Sequence, residues 1–349
     1  MSLSPVLVSG ASGYLASWII SHLLDKGYTV HGTVRDLSDG AKVTHLHHMA
    51  SRQRGTLRLF EADLLDRGSF TKAMKGCQAV IHTASPFFVR GVRNAEQQLI
   101  APAREGTRNI LESVNQTETV VRVILTSSVA AIMGDAKEAA ALPSKTFDES
   151  IWNESSSPSH RPYSYAKTVA EQCAWEMANR QTRWKLIAIN PGFVFGPSLA
   201  TRMDSTSIRF MTDLAKGTFW IGLPDQYSSI VDVRDVSWLH VLAMETDQAE
   251  GRYIGVAGIR TFFEIGQLLK REIGGRYWWP TIKAPKWLAT ILGPFFGQSM
   301  KEIQNNVGYA YQFDHTKSQH LGLTYRPIEE TLSDHIKQLI EDGLIPDKR

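Results

Sequence analysis

Short apolar runs alternate with stretches of helical periodicity through the first 190 residues of the chain. The runs predict strands at Val6–Val8, Tyr28–Val34, Leu57–Glu61, Ala79–His82, Val121–Thr126 and Leu186–Ile189. Between the first two runs, apolar residues in Leu15–Leu24 recur at the spacing of one helix face. Strands that are apolar almost throughout belong to parallel sheets covered by helices on both faces. The pattern therefore predicts an α/β fold built on a doubly wound parallel sheet.

The pattern changes after Pro191. Val231–Val236 looks like a strand end that runs into another helix covering the sheet, and from Gly258 onward proline and aromatic residues interrupt the helices. A last amphipathic helix is expected to begin near Arg326 and to end near Gly343. We therefore predict two domains. These are an α/β domain of residues 1–190 and about 231–257, and a smaller, mainly helical lobe of about 191–230 and 258–349.

Composition argues against several classes of function. The chain has 349 residues, a net charge of +3 and no run of basic residues, so nucleic acid is not an expected partner. Two cysteines, Cys77 and Cys173, are too few for a disulfide framework. The chain enters a strand at Val6, which leaves no room for a signal peptide, and the apolar stretch 287–296 is too short to cross a bilayer. We expect a soluble cytoplasmic protein, a monomer or homodimer, whose partner is a small molecule and not a membrane.

The first predicted strand leads through a glycine-containing turn into a helix. Gly10, Gly13 and Ala16 follow one another at intervals of three residues. Glycine is needed where the chain turns sharply and where backbone approaches a pyrophosphate, and the N–H groups at a helix start favour the anion. The spacing differs from the G-x-G-x-x-G form, and a generic strand–turn–helix unit is the alternative. The strand before the turn and the helix after it favour dinucleotide binding. The larger predicted domain is therefore interpreted as a Rossmann-type dinucleotide-binding domain, and the smaller lobe as the substrate-binding one.

The end of the second predicted strand bears on the choice of cofactor. In NAD-binding enzymes an acidic residue at this point bonds the ribose hydroxyls. Here Thr33 and Val34 are not acidic, and Arg35 follows them. A guanidinium forms a forked contact with a 2′-phosphate, and Lys42 could supply a second charge. This favours NADP(H). The alternatives are Asp36 as a ribose ligand and a merely solvated Arg35.

A tyrosine and a lysine stand where a proton donor is needed. Tyr163 and Lys167 are four residues apart in a helix that Pro162 is expected to begin, so they share one face. The pKa of a free tyrosine is about 10, and a nearby ammonium with an oxidised nicotinamide ring would lower it. Such a tyrosine is an acid for carbonyl reduction and a base in the reverse direction. Tyr165 is the competing candidate, and a surface pair is the structural alternative.

Two serines follow the predicted strand Val121–Thr126. Ligands lie at the carboxyl ends of parallel strands, and a hydroxyl there can hold a carbonyl oxygen that gains negative charge. Ser127 and Ser128 occupy this place, with an ordinary turn as the alternative. The histidines at 45, 47 and 48 have no acidic or cysteine partner at ligand spacing, so no metal site is predicted.

Together these elements resemble the extended short-chain dehydrogenases/reductases over nearly the whole chain. The motifs that carry the resemblance are Gly10-x2-Gly13-x2-Ala16, Asp63-Leu64, Thr83-Ala84-Ser85-Pro86, Thr126-Ser127-Ser128, Tyr163-x3-Lys167 and Asn190-Pro191-Gly192. Within that family the stretch 27–36 is typical of the dihydroflavonol reductase-like branch. This branch also contains cinnamoyl-CoA reductases and microbial NADPH-dependent aldehyde and ketone reductases.

The resemblance implies that Ser128, Tyr163 and Lys167 form the catalytic triad. With the residues argued above, cofactor contacts are expected from Gly10, Ser12, Gly13, Tyr14, Leu15, Arg35, Lys42, Asp63, Leu64, Thr83, Ala84, Ser85, Ser127, Tyr163, Lys167, Pro191, Gly192 and Val194. Within this set the resemblance implies that Asp63 and Leu64 line the adenine site and that Pro191 lies near the nicotinamide.

Two departures from the plant enzymes bear on the substrate. Met133 stands five residues after Ser128, where dihydroflavonol reductases carry a polar residue, usually Asn, that holds flavonoid hydroxyls. The sequence around Tyr163 also lacks the Asn-Trp-Tyr-Cys-Tyr pattern of cinnamoyl-CoA reductases. We therefore expect an NADPH-dependent carbonyl reductase of the microbial type, acting on an aldehyde or ketone, with Met133 in its substrate pocket.

Other activities on the same fold remain as alternatives. A nucleotide-sugar dehydratase needs an Asp-Glu pair where this chain has Val129 and Ala130, and an epimerase usually holds NAD tightly, which Arg35 argues against. A 3β-hydroxysteroid-type dehydrogenase would use the same three catalytic residues. A non-catalytic redox-sensing or binding protein on this fold would typically have lost Tyr163 or Lys167, and this chain has both.

Overall fold

The computed structural model describes residues 4–85, 94–200, 205–274 and 277–348. Its strands are β1 Val6–Ser9, β2 Thr29–Val34, β3 Thr56–Glu61, β4 Ala79–His82, β5 Arg122–Thr126, β6 Thr146–Phe147, β7 Lys185–Pro191, β8 Phe193–Phe195, β9 Leu223–Pro224, β10 Tyr227–Asp232, β11 Gly251–Gly255, β12 Gly258–Thr261, β13 Lys283–Ala284 and β14 Gln312–Phe313.

Its α-helices are α1 Tyr14–Asp25, α2 Gly40–Ala50, α3 Thr71–Met74, α4 Ala101–Gln116, α5 Pro162–Ala178, α6 Thr206–Ala215, α7 Val233–Glu245, α8 Phe262–Ile273, α9 Lys286–Leu292, α10 Met300–Asn306, α11 Thr316–His320 and α12 Ile328–Glu341. A π-helical turn covers Glu96–Ile100, and 3-10 turns cover Val129–Ala131, Ala136–Ala141, Pro143–Lys145 and Gly293–Phe296.

Seven parallel strands form the main sheet, in the order β11-β7-β5-β4-β1-β2-β3. The six strands predicted from the apolar runs are all in it, with ends that differ by one or two residues at most. The predicted doubly wound α/β fold is confirmed. Because β1 lies between β2 and β4, the order reverses there, and ligands of such sheets bind at this reversal beyond the carboxyl ends of the strands.

Alternate residues of each strand face opposite layers of helices. Val6 and Val8 of β1 pack in one apolar cluster with residues of α1, α2 and α7. Leu7, between them, packs in a second cluster with residues of α3, α4 and α5. This explains why the strands are apolar almost throughout, since both of their faces are buried.

A smaller, three-stranded sheet follows the main one. β10 pairs in parallel with β8 and antiparallel with β12. Its residue Ile230 packs in an apolar cluster with side chains of α6, α8 and α12, among them Ile208, Ile265 and Leu332. Since β8 begins two residues after β7 ends, this second sheet starts at the carboxyl edge of the main sheet.

Candidate active site

Gly10 and Gly13 form the turn between β1 and α1. Gly10 has a φ of +66°, and a Cβ atom added to it would lie 3.1 Å from the Cβ of Ala84. A Cβ on Gly13 would lie 3.0 Å from the Gly10 carbonyl oxygen, which accepts the Gly13 N–H. Gly13, the N-cap of α1, also has no side chain, so it gives the first N–H groups of that helix no side-chain acceptor. The turn therefore fits a dinucleotide pyrophosphate, which needs close approach of backbone.

A buried serine joins the ends of β1 and β4. The Ser9 Oγ accepts the N–H groups of Thr83 and Ala84 at 3.0 and 3.1 Å. It lies 2.8 Å from Nδ1 of His82, and burial lowers the pKa of His82 to about 3, with the charge of Lys167 adding to this. The neutral imidazole therefore accepts the Ser9 hydroxyl proton at Nδ1.

This junction holds the predicted segment Thr83-Ala84-Ser85 beside the glycine turn. The Thr83 hydroxyl also donates to the Ser9 carbonyl at 2.5 Å. Pro86, the last residue of the motif, lies outside the described residues. Sequence reasoning missed Ser9 and His82, because neither has a motif of its own.

The residues after β2 are exposed and have different partners. Arg35 makes no hydrogen bond or ion pair with the described residues. Asp36 accepts both the N–H and the hydroxyl of Ser38, at 2.8 and 2.6 Å, and these bonds lower the pKa of Asp36. Lys42 lies 2.6 Å from Asp39 in an ion pair. Arg35 is thus available for a ligand, whereas Asp36 serves its own turn and Lys42 would have to leave Asp39.

The loop after β3 holds the two residues expected at the adenine. Asp63 is exposed and accepts the N–H of Leu65 at 2.8 Å. Leu64 packs on α4, where a Cβ on Gly106 would lie 3.2 Å from the Leu64 Cβ. The carbonyl of Leu64 accepts the side-chain amide of Asn109 at 2.9 Å. Asn109 is therefore a residue that fixes this loop and that no sequence motif indicated.

Tyr163 and Lys167 lie one turn apart near the start of α5, which begins at Pro162 as predicted. The hydroxyls of Ser128 and Tyr163 are hydrogen-bonded to each other. The Ser128 Oγ also accepts the N–H of Ala130 at 3.1 Å. The structure thus brings the three predicted catalytic residues together at the carboxyl end of the main sheet.

Tyr165, the competing tyrosine, has different surroundings. Its ring packs against an apolar cluster that contains Leu99, Ile100 and Ala103. This places it among the residues that attach α5 to the Glu96–Ile100 turn and α4. Of the two tyrosines, Tyr163 has the hydrogen bond with Ser128.

Tyr163 and Lys167 are half-buried, and their pKa values move in opposite directions. Burial raises the pKa of Tyr163 to about 12, and the hydrogen bond with Ser128 acts against this. Burial lowers the pKa of Lys167 to about 8, and the Glu171 carboxylate acts against that. The sequence-based expectation for Tyr163 was a lowered pKa. In the protein alone the direction is opposite, because burial disfavours the phenolate more than its neighbours favour it.

Ser127 and Asn190 belong to a buried network beneath these residues. The Ser127 hydroxyl donates to Glu171, so its side chain is directed to that carboxylate. Asn190 donates to Glu171 at 2.8 Å and to the Ser128 carbonyl at 3.1 Å. Pro191 follows as the last residue of β7. Sequence reasoning assigned no role to Glu171 or Asn190.

Three further expected residues lie where the two sheets meet. Gly192 donates to the Gly255 carbonyl, and a Cβ on it would lie 2.7 Å from the Ser229 carbonyl oxygen. Val194 lies in β8 opposite Val231. The Tyr14 hydroxyl donates to the Gly196 carbonyl at 2.5 Å, and burial raises the pKa of this phenol. Tyr14 thus ties α1 to the segment after β8.

The remaining predicted residues are placed as follows. Met133 is 7% exposed and packs in an apolar cluster with Phe147, Ile254 and Tyr311. Ser12 and Leu15 flank Gly13 at the start of α1 and are half-buried. Met133 therefore has a packing role in addition to the substrate contact expected of it.

A second buried carboxylate anchors the start of α5. Asp135 accepts His160 at 2.8 Å, and Asn305 and Asn306 at 2.6 and 2.9 Å. Arg161 directly precedes the helix with a positive φ of 54°, and it donates to Asn306 at 3.2 Å. These contacts fix the approach of the chain to Tyr163 against α10.

Within the described ranges, no group of three or more histidine, cysteine or acidic side chains is arranged to hold a metal ion. No helix among the described residues is long and apolar enough to cross a membrane.

Comparison with known proteins assigns the family. The sequence model of the NAD dependent epimerase/dehydratase family matches residues 6–257. The chain belongs to this family. The predicted resemblance to extended short-chain dehydrogenases/reductases is confirmed, and with it the oxidoreductase class.

Several relatives of this chain are reductases by name. Cinnamoyl-CoA reductase CAD2 of Medicago truncatula is 34% identical over 96% of this chain and 95% of that protein. Tetraketide alpha-pyrone reductase 1 of Arabidopsis thaliana is 35% identical over 97% of this chain and 96% of that protein. Yeast methylglyoxal/isovaleraldehyde reductase Gre2, solved in complex with NADPH, superimposes with a TM-score of 0.80 at 26% identity. That match covers 97% of this chain and 99% of Gre2.

Proposed function

We propose that this protein is an NADPH-dependent reductase that converts an aldehyde or ketone to an alcohol, with Tyr163 as the proton donor. The observation that carries this proposal is the hydrogen bond between Tyr163 and Ser128 at the carboxyl edge of the sheet that also bears the glycine turn. Two neighbouring hydroxyls at this edge can donate hydrogen bonds to a carbonyl oxygen, and the glycine turn can bind the pyrophosphate of the cofactor.

The roles of the protein's own groups follow from their protonation. With a pKa raised to about 12 by burial, Tyr163 holds its proton at neutral pH and gives it to the carbonyl oxygen. Ser128 donates a hydrogen bond to the same oxygen as negative charge develops on it. Lys167, whose pKa is lowered to about 8, is mostly an ammonium at pH 7 and favours release of the tyrosine proton. The bound nicotinamide supplies the hydride.

The choice of NADP(H) over NAD(H) rests on Arg35. Its guanidinium is exposed and makes no hydrogen bond or ion pair with the described residues, whereas Asp36 is engaged with Ser38. A free guanidinium suits a 2′-phosphate, and an acidic ribose ligand is missing. The NADPH complex of the related yeast reductase supports the same cofactor.

The substrate is proposed to present an apolar or aryl group to Met133. Met133 comes shortly after the turn that begins at Ser128, and its side chain lies in an apolar cluster. A thioether packs well against carbon and cannot donate a hydrogen bond. We propose simple ketones and aldehydes with an apolar side, ahead of polyhydroxylated dihydroflavonols.

We propose the two-domain division of the sequence as well, with residues 1–190 and about 231–257 binding the cofactor. Separate apolar clusters around the main sheet and around β8, β10 and β12 support it. The smaller lobe, about 191–230 and 258–349, would set substrate specificity.

The test follows NADPH absorbance with purified protein and a panel of aldehydes, α-dicarbonyls, aryl ketones and dihydroflavonols, with NADH in parallel. We expect NADPH to be consumed fastest with an apolar aldehyde or aryl ketone, and NADH consumption to be slower. Consumption with none of the carbonyls, together with conversion of a nucleotide sugar, would overturn the proposal in favour of an epimerase or dehydratase.

A further inference from the structure

Glu171 is a carboxylate with no exposed surface in the middle of α5. Its two oxygens accept Arg252 at 2.7 Å, Asn190 at 2.8 Å and Trp175 at 3.1 Å, together with the Ser127 hydroxyl. A buried carboxylate is costly unless its charge is balanced and its oxygens are hydrogen-bonded. Glu171 meets both conditions.

The direct counter-charge comes from the edge strand β11. Arg252 is 7% exposed, and its remaining N–H groups donate to the carbonyls of Ile151, Glu149 and Ala131 at 2.6, 3.1 and 3.2 Å. Its guanidinium also lies over the Trp152 ring at 4.1 Å. Arg252 is therefore held by several hydrogen bonds and by the Trp152 ring, and its charge is paired with Glu171.

Lys167 precedes Glu171 by one helical turn on the same helix. Both side chains line one cavity of about 20 Å³, together with His82, Thr126 and Ser127. The two are not in a direct ion pair within the described part of the chain. The carboxylate and the ammonium thus share a small cavity with room for about one water molecule, and the carboxylate acts on the ammonium without a direct ion pair.

A chain of contacts also leads from Glu171 to Ser128. Asn190 donates one amide proton to Glu171 and the other to the Ser128 carbonyl at 3.1 Å. Ser127, the residue before Ser128, donates its hydroxyl to the same carboxylate. The orientation of the Ser127–Ser128 peptide therefore depends on Glu171.

We propose that Glu171 is a positioning residue that keeps Lys167 in its ammonium form and holds the backbone of Ser128 in place beneath the two hydroxyls. This inference rests on the proposed reductase function for its catalytic meaning. The charge state of Lys167, which the inference predicts, can be measured in the protein without cofactor or substrate.

Among the described residues, few titratable groups surround Lys167. On α5 they are Tyr163 and Glu171, and on β4 His82 faces the cavity. The pKa of His82 is lowered to about 3, so it is neutral, and Tyr163 is neutral at pH 7. From α4 the cavity is lined by Ala103, Gly106 and Thr107, which do not titrate. Arg252 lies beyond Glu171 on β11. Glu171 is therefore the one anion near Lys167 among the groups that line the cavity, and it opposes the lowering of the Lys167 pKa by burial.

The experiment titrates Lys167 directly by NMR in protein without cofactor, labelled with [13Cε]lysine and assigned with Lys167→Met. We expect a midpoint of about 8 in the wild type. Glu171→Gln should move the midpoint to lower pH by about 1 unit or more, since a nearby opposite charge typically shifts a pKa by that amount. Glu171→Asp retains the charge and should stay close to the wild type even though its contacts are altered.

Two controls separate charge from packing. Glu176→Gln makes the same chemical change at an exposed position of α5 and should leave the midpoint unchanged. Glu171→Gln leaves Arg252 without its partner, which can prevent folding. In that case the double variant Glu171→Met/Arg252→Met removes both charges with little change in volume, and it should also lower the midpoint.

A midpoint that stays at the wild-type value in Glu171→Gln, or in the double variant, overturns the inference. So does an equal shift in Glu171→Asp and Glu171→Gln, since this would mean that contacts and not charge are responsible. In an active enzyme, the alkaline fall of kcat/KM should move to lower pH in Glu171→Gln together with the NMR midpoint. A wild type that reduces no carbonyl would contradict the proposed function and leave the titration result standing.

Discussion

The two ends of the proposed cofactor-binding site, the glycine turn with Arg35 and the catalytic residues around Tyr163, are built differently. At the phosphate end, backbone is expected to do most of the positioning: Gly10 and Gly13 have no side chain, and Arg35 is exposed and makes no hydrogen bond or ion pair with the described residues. At the catalytic end, side chains do most of the positioning. Tyr163 and Lys167 are half-buried, and the groups that hold them, such as Glu171, are wholly buried. The phosphate end is therefore suited to bind the negative charge of a cofactor. The catalytic end is suited to fix the protonation states of Tyr163 and Lys167.

This contrast separates the expected effects of substitution. A change to an exposed charge removes an interaction with the ligand and leaves the fold intact, since surface substitutions usually have small effects on stability. A change at the buried end alters pKa values and hydrogen bonds that the protein has already formed. Substitutions at the phosphate end should therefore alter cofactor affinity, and substitutions at the catalytic end should alter turnover.

The largest expected effect is that of Tyr163→Phe. It removes the proton donor and keeps the ring, so turnover should fall by at least ~100-fold, the usual scale for a general acid. NADPH affinity, measured by fluorescence titration, should change little. Tyr165→Phe is the matched control, because Tyr165 packs in a different cluster. A near-normal Tyr163→Phe with an inactive Tyr165→Phe would mean that the other tyrosine is the donor.

Arg35→Ala should act at the opposite end. Loss of a charge-assisted bond of ~1.5–3 kcal/mol corresponds to roughly 10- to 150-fold weaker binding of NADPH. NADH affinity and the turnover at saturating cofactor should be nearly unchanged. Arg58→Ala removes an exposed arginine from the neighbouring strand β3 and serves as the control. Equal losses for NADPH and NADH would show that Arg35 does not recognise the 2′-phosphate.

Met133→Asn tests the substrate side of the catalytic end. It places an amide in an apolar cluster where no partner is provided, at a cost of ~1–3 kcal/mol. Efficiency with apolar ketones should fall roughly fivefold or more, and thermal stability should fall as well, since Met133 is buried. Steady-state kinetics on ketones and dihydroflavonols decide the matter. Faster turnover of a dihydroflavonol than of any simple ketone by the wild type would contradict this assignment.

The dependence of reduction on pH should be governed by Lys167. Burial lowers its pKa to about 8 and raises that of Tyr163 to about 12. Below pH 8 the ammonium is present and the rate should be constant; above pH 8 kcat/KM should decrease about tenfold per pH unit as the lysine loses its charge. Arginine remains charged throughout, so an active Lys167→Arg should keep its rate to higher pH. An unchanged fall near pH 8 in that variant would assign the titration to another group.

Features that depend on neighbouring residues could be predicted from sequence far better than contacts between distant residues. The glycine turn, the strand ends and the start of α5 at Pro162 all follow from residues close together in the chain. Glu171 and Arg252 are 81 residues apart, and Asp135 and Asn306 are 171 apart, so no local pattern indicates either pair. The direction of the Tyr163 pKa could not be predicted for the same reason, because it depends on how many distant atoms surround the ring.

The most direct test of the central claim is the fate of the transferred hydrogen. Wild-type protein is given NADPH deuterated at C4 and an aryl ketone, and the alcohol is analysed by mass spectrometry and NMR. With the correct C4 epimer, we predict one deuterium on the carbinol carbon for each cofactor oxidised, and almost no product from Tyr163→Phe. An alcohol that lacks deuterium with both C4 epimers would contradict the account. So would the absence of net cofactor oxidation with both epimers.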